Sequence, residues 1–309
     1  MEIFGPIPSR RLGRSLGINN IPSKSCSYAC TYCQVGAGTT SVKQRGFYAP
    51  EYLAHLVKER VALVKAQGDT IDYLSFVPDG EPTLDTRLSE TIDLLRPLGI
   101  KIAIISNASL IWRAEIRATL NKADWVSLKL DTVNEAIWQR LNKAHTNLQL
   151  SKILAGMLTF AQEFTGILAT DTMLVKGVNT SVENAEGVAN FLVQLKPQKS
   201  YILLPTRPPA EIDVSIPSEA ELIRFYEIVS RQIPQLECLG QYEGNAFTAT
   251  GDAANDLLSI TAVHPLREEA VKELLVKNQA DWSVVETLMQ TGKLKTTEYL
   301  GTKFYLTKI

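Results

Sequence analysis

The chain has 309 residues, of which 45% are hydrophobic and 21% charged, and its formal net charge is −1. That size buries a full core in one large domain with a small appendage, and the charge gives no support for a strongly nucleic-acid-binding surface. No apolar run reaches the roughly 18 to 20 residues of a membrane span, and Met-Glu-Ile-Phe-Gly-Pro lacks the basic and apolar regions of a signal peptide, so the expected location is the cytoplasm.

Taken in order, residues 5–17 are rich in Gly, Pro and Arg and read as a structured loop leading into a strand at about 16–21. The stretch from Ser25 to Gln34 follows, with Cys26, Cys30 and Cys33 in the spacing C-x3-C-x2-C. Pro50 starts a helix whose Leu53, Leu56, Val57, Val61 and Val64 share one face. Strands are predicted at 73–77, 101–106, 125–130, 166–175 and 201–204, with helices at 87–95, 112–120, 148–164 and 182–195 between them. Such alternation is the pattern of a parallel barrel or a doubly wound sheet, and by itself it does not choose between them.

After Pro208 and Pro209 a helix is expected at about 218–231, placed over the barrel's open side. Residues 236–256, with Gly240, Gly244, Asn245 and Gly251, read as an irregular linker or lid. A compact unit ends the chain, with helices at 268–276 and 282–290 and a hairpin over 294–306 that turns near Gly301, the outline of a winged helix. The expected domains are therefore 1–235, a linker at 236–256, and 257–309. From Pro265 onward basic and acidic side chains nearly cancel, which argues against phosphate-driven recognition by that unit.

Three thiolates in one short loop can wrap an iron–sulfur cube, because soft sulfur ligands suit such clusters. A cube of four irons held by three cysteines leaves one iron open to a substrate or cofactor. Zinc needs four ligands, and no histidine lies near the loop, His55 being the nearest. A disulfide would leave one thiol over. The fourth cysteine, Cys238, has no evident disulfide partner and reads as a small buried hydrophobe, and cluster thiolates call for a reducing compartment. Residues 1–48 carry Arg10, Arg11, Arg14, Lys24, Lys43 and Arg45 against Glu2 alone, a basic surround suited to an anionic substrate or to acidic groups elsewhere.

The cysteine spacing, with Tyr32 just before the last cysteine, resembles the signature of the radical S-adenosylmethionine (radical SAM) enzymes, and Gly80-Glu81-Pro82-Thr83 resembles a second motif of that family. The N-terminal Ser9 to Gly17 and the run Asp79-Gly80-Glu81-Pro82-Thr83-Leu84-Asp85 are most similar to the branch related to wyosine-type tRNA-modifying enzymes, over roughly residues 5–210. The resemblance implies an α/β fold, a partial (βα)6 TIM barrel carrying the winged-helix-like appendage. It also implies one [4Fe–4S] cluster on Cys26, Cys30 and Cys33, with S-adenosylmethionine on the fourth iron. The cofactor would be cleaved reductively to a 5′-deoxyadenosyl radical that takes hydrogen from a tRNA base, a peptide or a small metabolite. An external electron donor of flavodoxin or ferredoxin type is implied as partner.

In such a barrel, function collects on loops beyond the C-terminal ends of the strands. The resemblance makes Tyr32, Gly80, Glu81 and Pro82 cofactor contacts, with Asn107 and Ser127 as further candidates, and Asp79 stands where the family usually has a first glycine. Arg10, Arg11, Arg14, Lys129, Asp131, Lys176 and Arg207 are the substrate-site candidates. The wyosine-type enzymes hold a second cluster through extra cysteines, and only Cys238 is left here. The rival is a non-catalytic iron–sulfur sensor regulating transcription through the winged helix, a role with no need for a barrel or for Gly80-Glu81-Pro82.

Overall fold

The computed structural model describes residues 2–308 except 37, 39, 78, 241–246 and 248. Pro78, ahead of the Asp79 turn, and the linker residues Gly244 and Asn245 lie outside the described residues. An N-terminal hairpin, β1 (Ile3–Ser9) and β2 (Gly13–Ile18), precedes α1 (Pro50–Ala66) and β3 (Tyr73–Phe76). There follow α2 (Leu88–Leu95), β4 (Lys101–Ser106), α3 (Ala114–Leu120), β5 (Trp125–Lys129), α4 (Glu135–Asn142) and α5 (Leu150–Glu163). The barrel finishes with β6 (Ile167–Met173), α6 (Val182–Leu195), β7 (Lys199–Leu203), α7 (Glu219–Ser230) and β8 (Leu236–Leu239).

These eight strands form one sheet in chain order, β2 to β8 parallel and β1 antiparallel on β2. The result is an α/β half-barrel, a partial TIM barrel. Alternation along each strand sorts the side chains between two cores. Leu74, Phe76, Ile102, Ile104, Val126, Leu128, Leu168 and Ile202 pack under the helices. Tyr73, Ala103, Ile105, Trp125, Ala169, Tyr201 and Leu203 fill the lumen. The lumen parity therefore also carries Ser127, Lys129 and Asp171 inward. Each fully buried Leu, Ile or Phe of the helix-side layer contributes about 1.5–3 kcal/mol.

Local signals set the helix ends. Pro50 stands in the first turn of α1, whose Leu53, Val57, Val61 and Val64 are buried. The side chain of Ser181 caps α6, and Ser218 with Glu221 forms a full capping box on α7.

The structure departs from expectation at several elements. Residues 5–9, read as loop, belong to β1; the strand expected at 16–21 is Gly13–Ile18; α4 was not foreseen. Rather than covering the open side, α7 packs on α6 and leads into β8, formed by residues 236–239 that were assigned to the linker. Cys238 is exposed on that strand instead of buried.

The C-terminal unit comprises α8 (Ala253–Val263), β9 (Leu266–Arg267), α9 (Glu268–Lys277), α10 (Ser283–Gln290), β10 (Leu294–Tyr299) and β11 (Thr302–Thr307). Its three strands pair antiparallel in the order β10-β11-β9, and α8 begins within the segment expected as linker. The unit has its own core, including Phe247, Leu257, Ile260, Leu274, Val285 and Tyr305, and α8 packs against β1.

Candidate active site

The three-cysteine loop leaves β2 at the C-terminal end of the sheet and is pinned on both flanks. On one side Lys24 N donates to Asp79 O (2.7 Å) and Glu81 N to Ser25 O (2.9 Å). On the other, Ala29 N reaches Asn142 O (3.0 Å), Thr31 N reaches Leu141 O (2.9 Å) and His145 N reaches Ser27 O (3.0 Å). The unforeseen α4 thus supplies half the mooring, reinforced by Tyr28 packed edge-on to Trp138 with ring centroids 5.7 Å apart. Gly80 has to be glycine, because a Cβ there would stand 2.0 Å from the Ser25 carbonyl oxygen.

Cys26, Cys30 and Cys33 line one cavity of about 320 Å³ at the barrel mouth. Asn107 Nδ2 and Tyr28 N each approach Cys26 Sγ at 3.5 Å, and Asn142 Nδ2 approaches Cys30 Sγ at 3.4 Å. Burial pushes all three thiols up, the neighbouring thiol adding to the effect at Cys26, and Cys30 is pushed up to about 12. Iron loading must therefore displace protons, with N–H groups already aimed at the sulfurs. Among the described residues no three His, Cys, Asp or Glu side chains close on a single-ion site, and Cys238 does not line the cavity. Three thiols around a cavity, a backbone cradle that only glycine permits and N–H donors to sulfur fit an iron–sulfur cluster with one iron left open.

Of the expected cofactor contacts, Tyr32, Gly80 and Asn107 line the cavity, while Glu81, Pro82 and Ser127 do not. The Glu81 carboxylate is fully buried behind the wall. It accepts from Thr83 N (3.1 Å), Thr83 Oγ1 (2.5 Å), Ser106 Oγ (2.8 Å) and Asn107 N (2.7 Å), so it braces the turns after β3 and β4. Its neighbour Asp79 does line the cavity; burial pushes its carboxyl up to about 7, and Oδ1 finds no donor among the described residues. Ser127 is buried in the lumen with Oγ likewise lacking a partner there.

Four substrate candidates meet at the cavity: Arg10, Arg11, Lys129 and Arg207. Arg14 sits at the opposite, N-terminal end of β2, held by Asp69 (2.6 Å) and Thr70 O (3.0 Å), and Lys176 is exposed away from the cavity. Asp131 stands behind the wall, accepting from the Tyr32 hydroxyl and from Asn142 Nδ2 (2.8 Å), with Lys129 Nζ at 3.9 Å and over the Tyr32 ring at 5.2 Å. Sequence reasoning missed Asp171, a lumen residue of β6 paired with Arg11, and Asn142. It also missed His264, the residue that follows α8, whose Nε2 lies 2.5 Å from Arg207 Nη2, while Arg207 Nη1 donates to Gln34 at 2.9 Å.

The model of the radical SAM superfamily matches residues 20–184, more than half of the chain and including all three cysteines. The chain belongs to the radical SAM superfamily. As an enzyme of that superfamily it has a fold and a thiol set that fit one iron–sulfur cluster. A UPF0026 protein of Methanocaldococcus jannaschii is 44% identical, over 99% of this chain and 96% of its own. A radical SAM methyltransferase from Sphaerobacter thermophilus has the same fold (TM-score 0.56, 15% identity, 73% of this chain and 66% of that one). TYW1 with a lysine–pyruvate adduct bound also shares it (TM-score 0.52, 17% identity, 71% and 73%). Among the described residues no helix of this radical SAM protein is long and apolar enough to cross a membrane.

Proposed function

We propose that this chain is a single-cluster radical SAM enzyme whose substrate reacts inside the barrel mouth. The observation that carries the reading is the convergence of Cys26, Cys30 and Cys33, without Cys238, on one cavity at the C-terminal ends of the parallel strands. When bound there, the cluster and S-adenosylmethionine supply one-electron cleavage to a 5′-deoxyadenosyl radical and abstraction of a substrate hydrogen.

The chain's own residues do the positioning. Asp79 and Gly80 line the cavity, where a carboxylate and a backbone carbonyl can serve as acceptors to an ammonium group. Tyr32 presents a ring for an adenine, fixed by its hydroxyl on Asp131 and by Asn142 Nδ2 at 3.0 Å. Asn107 spans from Glu81 to Ser27 Oγ (2.9 Å) and holds the cysteine loop to the barrel. Electrons come from an external flavodoxin- or ferredoxin-type donor, and the reducing cytoplasm suits the thiols. The C-terminal unit, in the order helix, strand, helix, helix, strand, strand, is winged-helix-like, and its near balance of charges suits docking of a protein or peptide, or simple packing, rather than phosphate binding.

The test is anaerobic reconstitution, reduction and addition of S-adenosylmethionine, with 5′-deoxyadenosine quantified for wild type and Cys30→Ala. Product from the wild type, and at least about 100-fold less from the variant together with loss of bound iron, is the expected result. An intact cluster that binds the cofactor and yields no 5′-deoxyadenosine would overturn the reading in favour of a sensor.

A further inference from the structure

We infer that Asn107 and Asn142 are positioning residues that set how readily the cluster takes its electron, by donating side-chain N–H groups to the sulfurs of Cys26 and Cys30; this rests on the single-cluster reading of the same cavity. Asn107 follows β4 and Asn142 ends α4, so two separate elements each bring an amide to a different sulfur. Asn107 Nδ2 lies 3.5 Å from Cys26 Sγ, and Asn142 Nδ2 lies 3.4 Å from Cys30 Sγ.

Neighbours fix both amides with the nitrogen toward sulfur. Asn107 Oδ1 accepts from Ser109 N (2.9 Å), so the amide cannot turn over without stranding that donor. Its two Nδ2 protons then serve Ser27 Oγ (2.9 Å) and Cys26 Sγ. Asn142 gives one Nδ2 proton to the Asp131 carboxylate (2.8 Å), an acceptor that the amide oxygen could not replace. Tyr32 gives its own proton to Asp131, so its hydroxyl oxygen (3.0 Å from Nδ2) and Cys30 Sγ share the second proton of Asn142.

Such donors bear on the electron that enters from the external donor. That electron adds negative charge to the sulfurs, with no bond formed or broken, and a hydrogen bond to sulfur strengthens with the charge it meets. The reduced state is favoured and the potential rises. Asparagine does this without bringing a charge of its own and without competing for iron. Cys33 is served instead by the backbone N–H groups of Val35 and Gly36, so the side-chain donors at 107 and 142 are the ones a substitution can remove.

The experiment is anaerobic redox titration of the reconstituted protein without S-adenosylmethionine, the reduced cluster being counted by electron paramagnetic resonance. Asn107→Ala and Asn142→Ala should each make reduction about three- to ten-fold less favourable, a fall in midpoint of up to about 59 mV for one electron. The double variant should combine the two effects, since the amides serve different sulfurs. Iron per chain is measured alongside. Lower iron with an unchanged midpoint would mean that the amides only moor the loop, and would overturn the inference. A second measurement needs no variant to fold: wild type carrying isotopically labelled asparagine nitrogen should show coupling of that nitrogen to the spin of the reduced cluster. Its absence would also overturn the inference. Because the cofactor is left out, this result and the 5′-deoxyadenosine result can fail independently.

Discussion

The back of the barrel mouth and its lumen wall treat buried carboxylates in opposite ways. Behind the wall, Glu81 is enclosed and receives four hydrogen bonds that tie the turns after β3 and β4 together. On the lumen side, Asp79 and Asp171 are nearly as buried, yet each keeps an oxygen without a donor among the described residues. A satisfied buried acceptor holds a fold in shape, while an unsatisfied one costs stability until a water or a ligand supplies its donor. The difference separates a carboxylate that braces the site from two that strain it.

The sharpest way to break that comparison is at Glu81. Glu81→Ala strands four buried donors, and should lower unfolding free energy by about 3–5 kcal/mol in urea denaturation. A loss below about 1 kcal/mol would remove Glu81 from the frame.

Asp79→Asn should do the reverse. With its folded pKa raised to about 7 by burial, the ionised carboxylate opposes folding. That penalty is absent below the unfolded value near ~4, grows as pH rises, and is full above the folded value. The variant should therefore gain on the order of 2 kcal/mol over wild type at pH 8 and nothing at pH 4, and should bind S-adenosylmethionine more weakly at pH 8. Equal stability of the two proteins at both pH values would show that Asp79 is not held under strain.

The smallest effect tests a helix cap that does not line the cavity. Ser218→Ala removes the capping box of α7 and should lower stability by about 1 kcal/mol without altering iron content or cofactor affinity.

The same contrast explains what the sequence could announce. The cysteine triad declares itself by spacing, because a short loop must bring thiols together, whereas Gly80 stood out only by resemblance to a family motif, and its place beneath Ser25 supplies the physical reason. The barrel strands were legible from their alternation with helices. β1 was not, since Gly5, Pro6 and Pro8 are loop signals that an edge strand tolerates. β8 is four residues long and leaves Glu237 and Cys238, on opposite faces, both exposed, so it offers little pattern to detect. α4 offers only Trp138 and Leu141 as large buried apolar residues, although its C-terminal end moors the cysteine loop. Asp171 escaped because attention falls on strand ends, and it sits within a strand, where a lone carboxylate resembles a misplaced surface residue until the lumen is seen. Glu81 was found for its motif, yet its carboxylate turns away from the cavity that the motif frames.

The antiparallel hairpin has a consequence for the chain's behaviour in solution. β1 ends the eight-stranded sheet, and α8 of the C-terminal unit packs against that strand. An uncovered sheet border invites pairing with a neighbouring molecule. Removal of the packed α8 would leave that border bare, so a chain cut before Ala253 should clump at concentrations where the full chain stays dispersed.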